Sequence, residues 1–164
     1  MTSLNEESIR QALAGDMLVG REVRVLPEVG STNDYLKEAA RGGAPEGLAG
    51  LAERQTAGKG RLGLSFQSPA GLGLWMSVLL RPTCSPERLP PVTALTAAAC
   101  AEAIREVCGA EAGIKWPNDL VLGGRKLCGI LTELESGGEG LALVIGIGLN
   151  VSQRREDFPP ELRE

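Results

Sequence analysis

The 164-residue sequence contains no histidine. This absence excludes catalytic schemes built on a serine–histidine or cysteine–histidine pair, and it excludes metal sites with histidine ligands. An enzyme with this composition must take its nucleophile from a substrate. Otherwise it must rely on lysine, arginine, aspartate and a metal–substrate complex.

The sequence also lacks a membrane-length apolar run, an export signal and any cysteine pair with CxxC spacing. The four cysteines are Cys84, Cys100, Cys108 and Cys128. These features predict a cytoplasmic protein with reduced thiols and no contact with a membrane.

Basic residues are in slight deficit, because the formal net charge is −4. This balance argues against a general nucleic-acid-binding protein, and no DNA partner is expected. Apolar residues make up 43% of the chain, which is enough for one buried core. We therefore expect a single domain over residues 1–164.

Hydrophobic periodicity predicts alternating helices and strands. The expected helices cover 4–14, 35–42 and 91–108, and the expected strands cover 23–29, 48–54, 72–80, 113–116, 119–122, 126–134 and 141–149. Gly-rich turns at 123–124 and 136–140 predict hairpins. The expected fold is α+β, with a mainly antiparallel or mixed sheet and helices packed on one face.

Polar residues follow the first strand in the segment Gly30-Ser31-Thr32-Asn33-Asp34. These residue types are the usual caps of a helix N-terminus, and capping alone accounts for them. The same groups can also hydrogen-bond the polar head of a ligand. Both interpretations hold at this stage.

A Gly-rich loop covers residues 55–71, and it includes Gly58-Lys59-Gly60-Arg61. Backbone N–H groups and two cations in such a loop can surround an anion. The loop is not a Walker A motif, because Gly60 follows Lys59 where that motif needs serine or threonine. The alternative is an ordinary mobile surface loop.

The segment Lys115-Trp116-Pro117-Asn118-Asp119 leads into the predicted Gly123–Gly124 hairpin. A two-residue turn places residue 119 opposite residue 128, so Asp119 and Lys126 share one face about 7–8 Å apart. That pair suits an anionic ligand with Mg²⁺, and the neighbouring Trp116 suits stacking on a base. The alternative is a surface hairpin with a salt bridge.

The predicted last strand alternates glycine with apolar residues at Gly146 and Gly148. Glycine within a strand marks the close approach of a ligand or of another part of the chain. The alternative is tight packing between sheet and helix, which on sequence alone is the more common reason for the pattern.

Five segments in this order resemble the biotin protein ligase family, biotin–[acetyl-CoA-carboxylase] ligase. They are Ser31-Thr32-Asn33, Gln55-x-Ala57-Gly58-x-Gly60-Arg61-x-Gly63, Lys115-Trp116-Pro117-Asn118-Asp119, Arg125-Lys126-Leu127-x-Gly129-Ile130-Leu131 and Gly148-Leu149-Asn150. The resemblance implies a biotin- and lipoate-ligase-like catalytic domain. Biotin and ATP would be its substrates, with Mg²⁺, and biotinyl-5′-AMP would be the intermediate. The biotinyl group would then pass to a lysine of the biotin carboxyl carrier protein of acetyl-CoA carboxylase.

The resemblance also implies residue roles. The implied biotin-binding residues are Ser31, Thr32, Asn33, Gln55, Lys59, Gly60, Arg61, Lys126 and Gly129, and the implied ATP-binding residues are Phe66, Lys115, Trp116, Asn118 and Asn150. The implied catalytic residues are Lys126, Arg61 and Asp119, with Asp119 near Mg²⁺.

Three positions depart from the family pattern: Lys59 and Leu64 each stand where arginine is usual, and Phe66 where tryptophan is common. We further expect a catalytic domain that is incomplete at its C-terminus, without a DNA-binding helix-turn-helix or a C-terminal β-barrel. Relatives often form dimers, and the sequence leaves the oligomeric state open. Two alternatives stay open as well, a lipoate- or octanoate-attaching enzyme and a truncated module that binds biotin or its adenylate without transferring it.

Overall fold

The computed structural model describes residues 4–13, 15–137 and 140–162. Within these residues the helices are α1 (Glu6–Ala12), α2 (Thr32–Arg41) and α3 (Pro91–Cys108). The strands are β1 (Glu22–Val29), β2 (Leu48–Gln55), β3 (Gly73–Leu80), β4 (Gly113–Lys115), β5 (Asp119–Leu122), β6 (Arg125–Gly137) and β7 (Gly140–Asn150). All the elements expected from the sequence are present. The tip of the turn expected at 136–140 lies outside the described residues.

Local sequence explains where the two longer helices begin and end. Ser31 is the extended N-cap residue of α2, and Gly42 follows its last turn. Proline at the start of α3 fits its fixed φ. At the other end, Gly109 adopts a left-handed φ of 68° and its N–H bonds to the Arg105 carbonyl, which closes the helix.

The seven strands form one sheet in the order β1-β2-β3-β7-β6-β5-β4. Only the β1–β2 pair is parallel among these described strands, and the other neighbours are antiparallel. Gly123 and Gly124 have φ values of 57° and 78°, which suit the two-residue turn between β5 and β6. The mixed, mainly antiparallel α+β fold is therefore confirmed.

The expectation that the helices pack on one face of the sheet is wrong in detail. Leu143 and Ile145 of β7 pack in a cluster with Ala97 of α3, whereas Val144 packs in a cluster with Leu36 of α2. Neighbouring residues of a strand point to opposite faces, so α2 and α3 cover opposite sides. The continuous apolar run in β7 is what a strand buried on both faces requires.

The register of the β5–β6 hairpin also differs from the expected one. Leu122 pairs with Arg125 and Val121 with Lys126, as predicted, but Leu120 then pairs with Cys128. This bulge adds one residue to β6, and Asp119 consequently lies opposite Gly129 rather than residue 128. Asp119 and Lys126 nevertheless remain on the same face.

No helix among the described residues is both long enough and apolar enough to cross a bilayer. All four cysteines are free thiols. Cys128 is fully buried in the α3 cluster, and its contact with the Cys100 thiol is the main cause that raises the pKa of Cys128 above its usual range.

Candidate ligand-binding site

A pocket of about 440 Å³, including its open mouth, lies on the α2 side of the sheet. Its lining combines the start of α2, the Gly-rich loop and the middle of β6 and β7: Ser31, Thr32, Asn33, Gln55, Lys59, Gly60, Arg61, Phe66, Met76, Asn118, Lys126, Gly129, Ile130, Leu131, Gly146, Ile147 and Gly148.

Hydrogen bonds fix the polar floor of the pocket. The backbone N–H and the hydroxyl of Thr32 both donate to Gln55 Oε1, at 2.8 and 3.0 Å. Gln55 Nε2 in turn donates to Ser68 Oγ at 2.8 Å. Ser31 occupies the N-cap position of α2 but makes no side-chain capping bond, and Ser31, Thr32 and Asn33 all line the pocket.

Two side chains that the sequence did not single out as site residues hold Asn33 in place. The Ser77 hydroxyl is fully buried and lies 2.6 Å from Asn33 Oδ1, while Asn33 Nδ2 donates to Glu133 Oε2 at 2.7 Å. Asn33 Nδ2 also donates to the Leu131 carbonyl. A lone serine within an apolar strand is the sequence feature that could have pointed to Ser77.

The strand glycines give the pocket its depth. A Cβ at Gly146 would overlap the Asn33 side chain, and one at Gly148 would stand 2.6 Å from the Phe66 ring. A Cβ at Gly129 would stand 2.8 Å from the same ring. These glycines line the pocket and also allow close packing, so the two interpretations of the glycine pattern describe one arrangement.

The Gly-rich loop is folded over the pocket mouth. The Phe66 N–H donates to the Gly58 carbonyl at 2.8 Å, and the Gly60 N–H donates to the Leu64 carbonyl at 2.7 Å. Leu62 at the tip has a positive φ of 58° and is 92% exposed. The loop is thus a structured element and not an open segment.

Each of the three pocket cations has an acidic or amide partner. Lys59 Nζ lies 2.7 Å from Asp34 Oδ2, and Arg61 Nη1 donates to Asn118 Oδ1 at 3.2 Å. Lys126 Nζ lies 2.9 Å from Asp119 Oδ1 and 5.5 Å from the centre of the Phe66 ring. The salt-bridged hairpin and the cationic pocket therefore coexist.

The residues predicted to bind ATP are less closely grouped. Phe66 and Asn118 line the pocket, whereas Lys115, Trp116 and Asn150 do not. Trp116 is 75% exposed beside the hairpin, and Asn150 donates to the Lys126 carbonyl at 3.2 Å. The structure thus brings the predicted biotin-binding residues together, and it leaves part of the predicted nucleotide set on the adjoining surface.

The fold is α+β, and the pocket lining combines neutral polar side chains with the cations Lys59, Arg61 and Lys126. Residues 25–150 match the biotin/lipoate A/B protein ligase family, and the chain belongs to that family.

Similar proteins are known by sequence. The chain is 39% identical to the bifunctional ligase/repressor BirA of Bacillus subtilis, a match over 98% of this chain and 50% of that protein. It is 36% identical to the biotin–[acetyl-CoA-carboxylase] ligase of Mycobacterium tuberculosis, over 96% of this chain and 60% of that protein. The chain therefore spans about half the length of the curated relatives that it matches.

Solved structures show the same fold. The biotin protein ligase of Aquifex aeolicus in complex with biotin and ATP is 37% identical, with a TM-score of 0.71 over 87% of this chain and 57% of that chain. The biotin protein ligase of Leishmania major in complex with biotinyl-5-AMP is 33% identical, with a TM-score of 0.67 over 81% of this chain and 58% of that chain.

Proposed function

We propose that this chain activates biotin with ATP and transfers the biotinyl group to a lysine of biotin carboxyl carrier protein. The observation that carries the proposal is that one pocket contains all nine of the residues implied to bind biotin. These residues come from segments as far apart in the sequence as Ser31 and Gly129, and their meeting in one pocket is what a shared ligand requires.

The pocket chemistry suits biotin. A cyclic urea head carries both N–H donors and a carbonyl acceptor, and the floor presents hydroxyl and amide groups at Thr32 and Asn33. Gly146 and Gly148 line the same pocket without side chains of their own, and the Phe66 ring beside Gly148 offers a flat apolar surface for the fused rings of biotin. Arg61 and Lys126 line the same pocket and supply cations that can meet the biotin carboxylate.

Both nucleophiles belong to the substrates, in agreement with the absence of histidine. In the first step a biotin carboxylate oxygen attacks the α-phosphorus of ATP. The new O–P bond forms as the bond to pyrophosphate breaks. In the second step the neutral lysine amine attacks the biotinyl carbonyl, AMP leaves with the bonding pair, and the amine loses its proton. The chain contributes orientation and stabilisation of phosphate charge through Arg61 and Lys126.

Asp119 is the residue proposed to approach Mg²⁺. The described residues contain no group of three acidic, cysteine or histidine side chains that could hold a metal by themselves. Asp119 Oδ1 is buried and accepts no hydrogen bond within the described part of the chain, although Lys126 Nζ lies at ion-pair distance. One hard oxygen fits a magnesium ion that arrives on the triphosphate and keeps most of its other ligands. When bound, the ion would neutralise charge on the phosphates.

We assign the nucleotide to the side of the pocket where Phe66 and Asn118 line the wall. Lys115 and Trp116 precede Asn118 in the sequence, and Asn150, at the end of β7, donates to the Lys126 carbonyl. An exposed indole such as that of Trp116 is suited to stacking on a base. We further propose that the protein acts in the cytoplasm on the carrier protein of acetyl-CoA carboxylase. The oligomeric state can be measured by light scattering, in which a homodimer would give twice the mass of one chain.

The test is a pair of assays on the purified chain. Pyrophosphate release should require both biotin and ATP, and labelled biotin should then pass to a carrier domain but not to a carrier whose target lysine is replaced by arginine. Release and transfer with lipoate or octanoate in place of biotin would assign the chain to the lipoate-attaching enzymes. Biotin binding without pyrophosphate release would leave a binding module and contradict the proposal.

A further inference from the structure

Four charged side chains of alternating sign form a network of ion pairs that runs from the Gly-rich loop to the pocket floor. Lys59 Nζ lies 2.8 Å from Asp34 Oδ1, and Lys37 Nζ lies 3.0 Å from the same oxygen. Lys37 Nζ also lies 2.7 Å from Glu133 Oε1, and the second oxygen of Glu133 accepts a hydrogen bond from Asn33 at 2.7 Å. This ion-pair network joins the loop, α2 and β6.

Lys37 is the more buried lysine of this ion-pair network. The Lys37 side chain is 15% exposed, whereas those of Asp34 and Lys59 are 45% and 44% exposed. Burial lowers the pKa of Lys37, but hydrogen bonds to Glu133 and Asp34 outweigh burial and raise it overall. Burial likewise raises the pKa of Asp34, and its bonds to Lys59 and Lys37 more than reverse this effect. The shifted pKa values of Lys37 and Asp34 therefore both favour the charged forms at neutral pH.

The Gly-rich loop makes a second side-chain contact, through Arg61. Arg61 donates to Asn118, which follows the Trp116–Pro117 segment before β5. Lys59 and Arg61 are separated only by Gly60, yet these two cations bind partners on different elements, Asp34 on α2 and Asn118 before β5. Within the described residues, Lys59 is the one of the two that is bound to a carboxylate, and it contacts both carboxylate oxygens.

We propose that Asp34 is a positioning residue that acts through Lys59. Asp34 binds the Lys59 ammonium and so holds the Gly-rich loop closed over the pocket. Lys59 is consequently bound to α2, and Arg61 and Lys126 are the cations that meet the ligand anion. The identity of the ligand in this inference rests on the proposed function, but the contact between loop and helix does not.

A double-mutant cycle separates this role from direct ligand contact. Asp34→Asn and Lys59→Met should each speed biotin dissociation roughly two- to five-fold, as expected for loss of an exposed ion pair. Asp34→Asn also loses the pair with Lys37. The double variant should therefore be no faster than Asp34→Asn alone, because Lys59→Met then removes a contact that is already broken. If Lys59 instead binds the ligand, Lys59→Met will slow or abolish binding equally in both backgrounds, and the proposal is wrong.

Two further variants guard against a general structural effect. Asp34→Glu keeps a carboxylate and should restore most of the slow dissociation. Glu102→Gln removes a comparably exposed ion pair with Arg105 on α3, which covers the other face of the sheet, and it should leave dissociation unchanged. An equal effect of Glu102→Gln would overturn the proposed role of Asp34.

Amide hydrogen exchange of the unliganded protein tests the same contact without biotin. The Gly60 and Phe66 amides are hydrogen-bonded within the loop, so their exchange reports how often it opens. Exchange should rise by a similar factor in Asp34→Asn, Lys59→Met and the double variant. Unchanged exchange in Asp34→Asn would refute the inference. A wild-type protein that fails to bind biotin would overturn the proposed function, and exchange would still decide the role of Asp34.

Discussion

Gly146→Ala tests how the sheet glycines and the pocket floor depend on each other. The added Cβ would stand 2.9 Å from Asn33 Cγ and closer still to its Oδ1. Asn33 is only 3% exposed and is held by hydrogen bonds from its amide to Glu133 and Leu131 and from Ser77. The side chain cannot move away without breaking them. We therefore expect a loss of about 2–3 kcal/mol, since overpacking costs about 1–3 kcal/mol and a hydrogen bond to a charged group about 1.5–3 kcal/mol.

That loss corresponds to a fall in the melting temperature of about 4–12 °C for a domain of this size. Gly30→Ala is the matched control, because a Cβ there meets no atom within 4 Å, and its stability should change by less than about 0.5 kcal/mol. In an Asn33→Ala background, Gly146→Ala should hardly change the free energy of unfolding, because the side chain that the new Cβ would contact is absent. Urea unfolding of the four proteins measures the cycle. An equal loss in both backgrounds would refute the clash with Asn33 as the cause.

Three other predictions concern the pocket cations. Lys126→Ala should lower biotin-dependent pyrophosphate release by a factor of about 10²–10³ while the fold survives, as for loss of a preorganised charge donor, and near-normal release would contradict this role. Arg61→Gly removes the hydrogen bond to Asn118 and one of the pocket cations. We expect this variant to release biotinyl-AMP, which will then acylate a bystander protein. If the variant makes pyrophosphate but does not label the bystander, the prediction is wrong. The pKa of Asp34 is lowered in the folded protein, so its stabilising contribution is complete above the ordinary carboxyl value and is lost as pH falls through the lowered one. The difference in unfolding free energy between wild type and Asp34→Asn should therefore shrink as the pH falls from about 6 to about 3, and a constant difference would exclude the ion pair as its source.

The sequence predicts the elements of this fold well, because periodicity, proline and glycine act locally. The helix from Pro91 and the Gly123–Gly124 turn are examples. The arrangement of helices on both faces was not predicted, since it depends on which residues of β7 meet which helix. The bulge beside Leu120 was missed for a similar reason: nothing in the local sequence marks where a strand gains a residue.

The pocket residues were predicted where several motifs converge, and missed where one polar residue acts alone. Ser77 and Glu133 carry no motif, and their role follows only from their contacts with Asn33. The pairing of Lys59 with Asp34 was also missed. Both residues lie in segments that the sequence singled out, but the bond between them depends on how the loop folds over α2.

The central claim is that this pocket activates biotin. The most direct measurement incubates the purified chain with biotin and α-³²P-labelled ATP and resolves the products by thin-layer chromatography. The account predicts labelled biotinyl-5′-AMP in wild type, none without biotin, none with octanoate or lipoate, and a strong reduction in Lys126→Ala. A labelled acyl-adenylate formed from octanoate or lipoate but not from biotin would contradict the account.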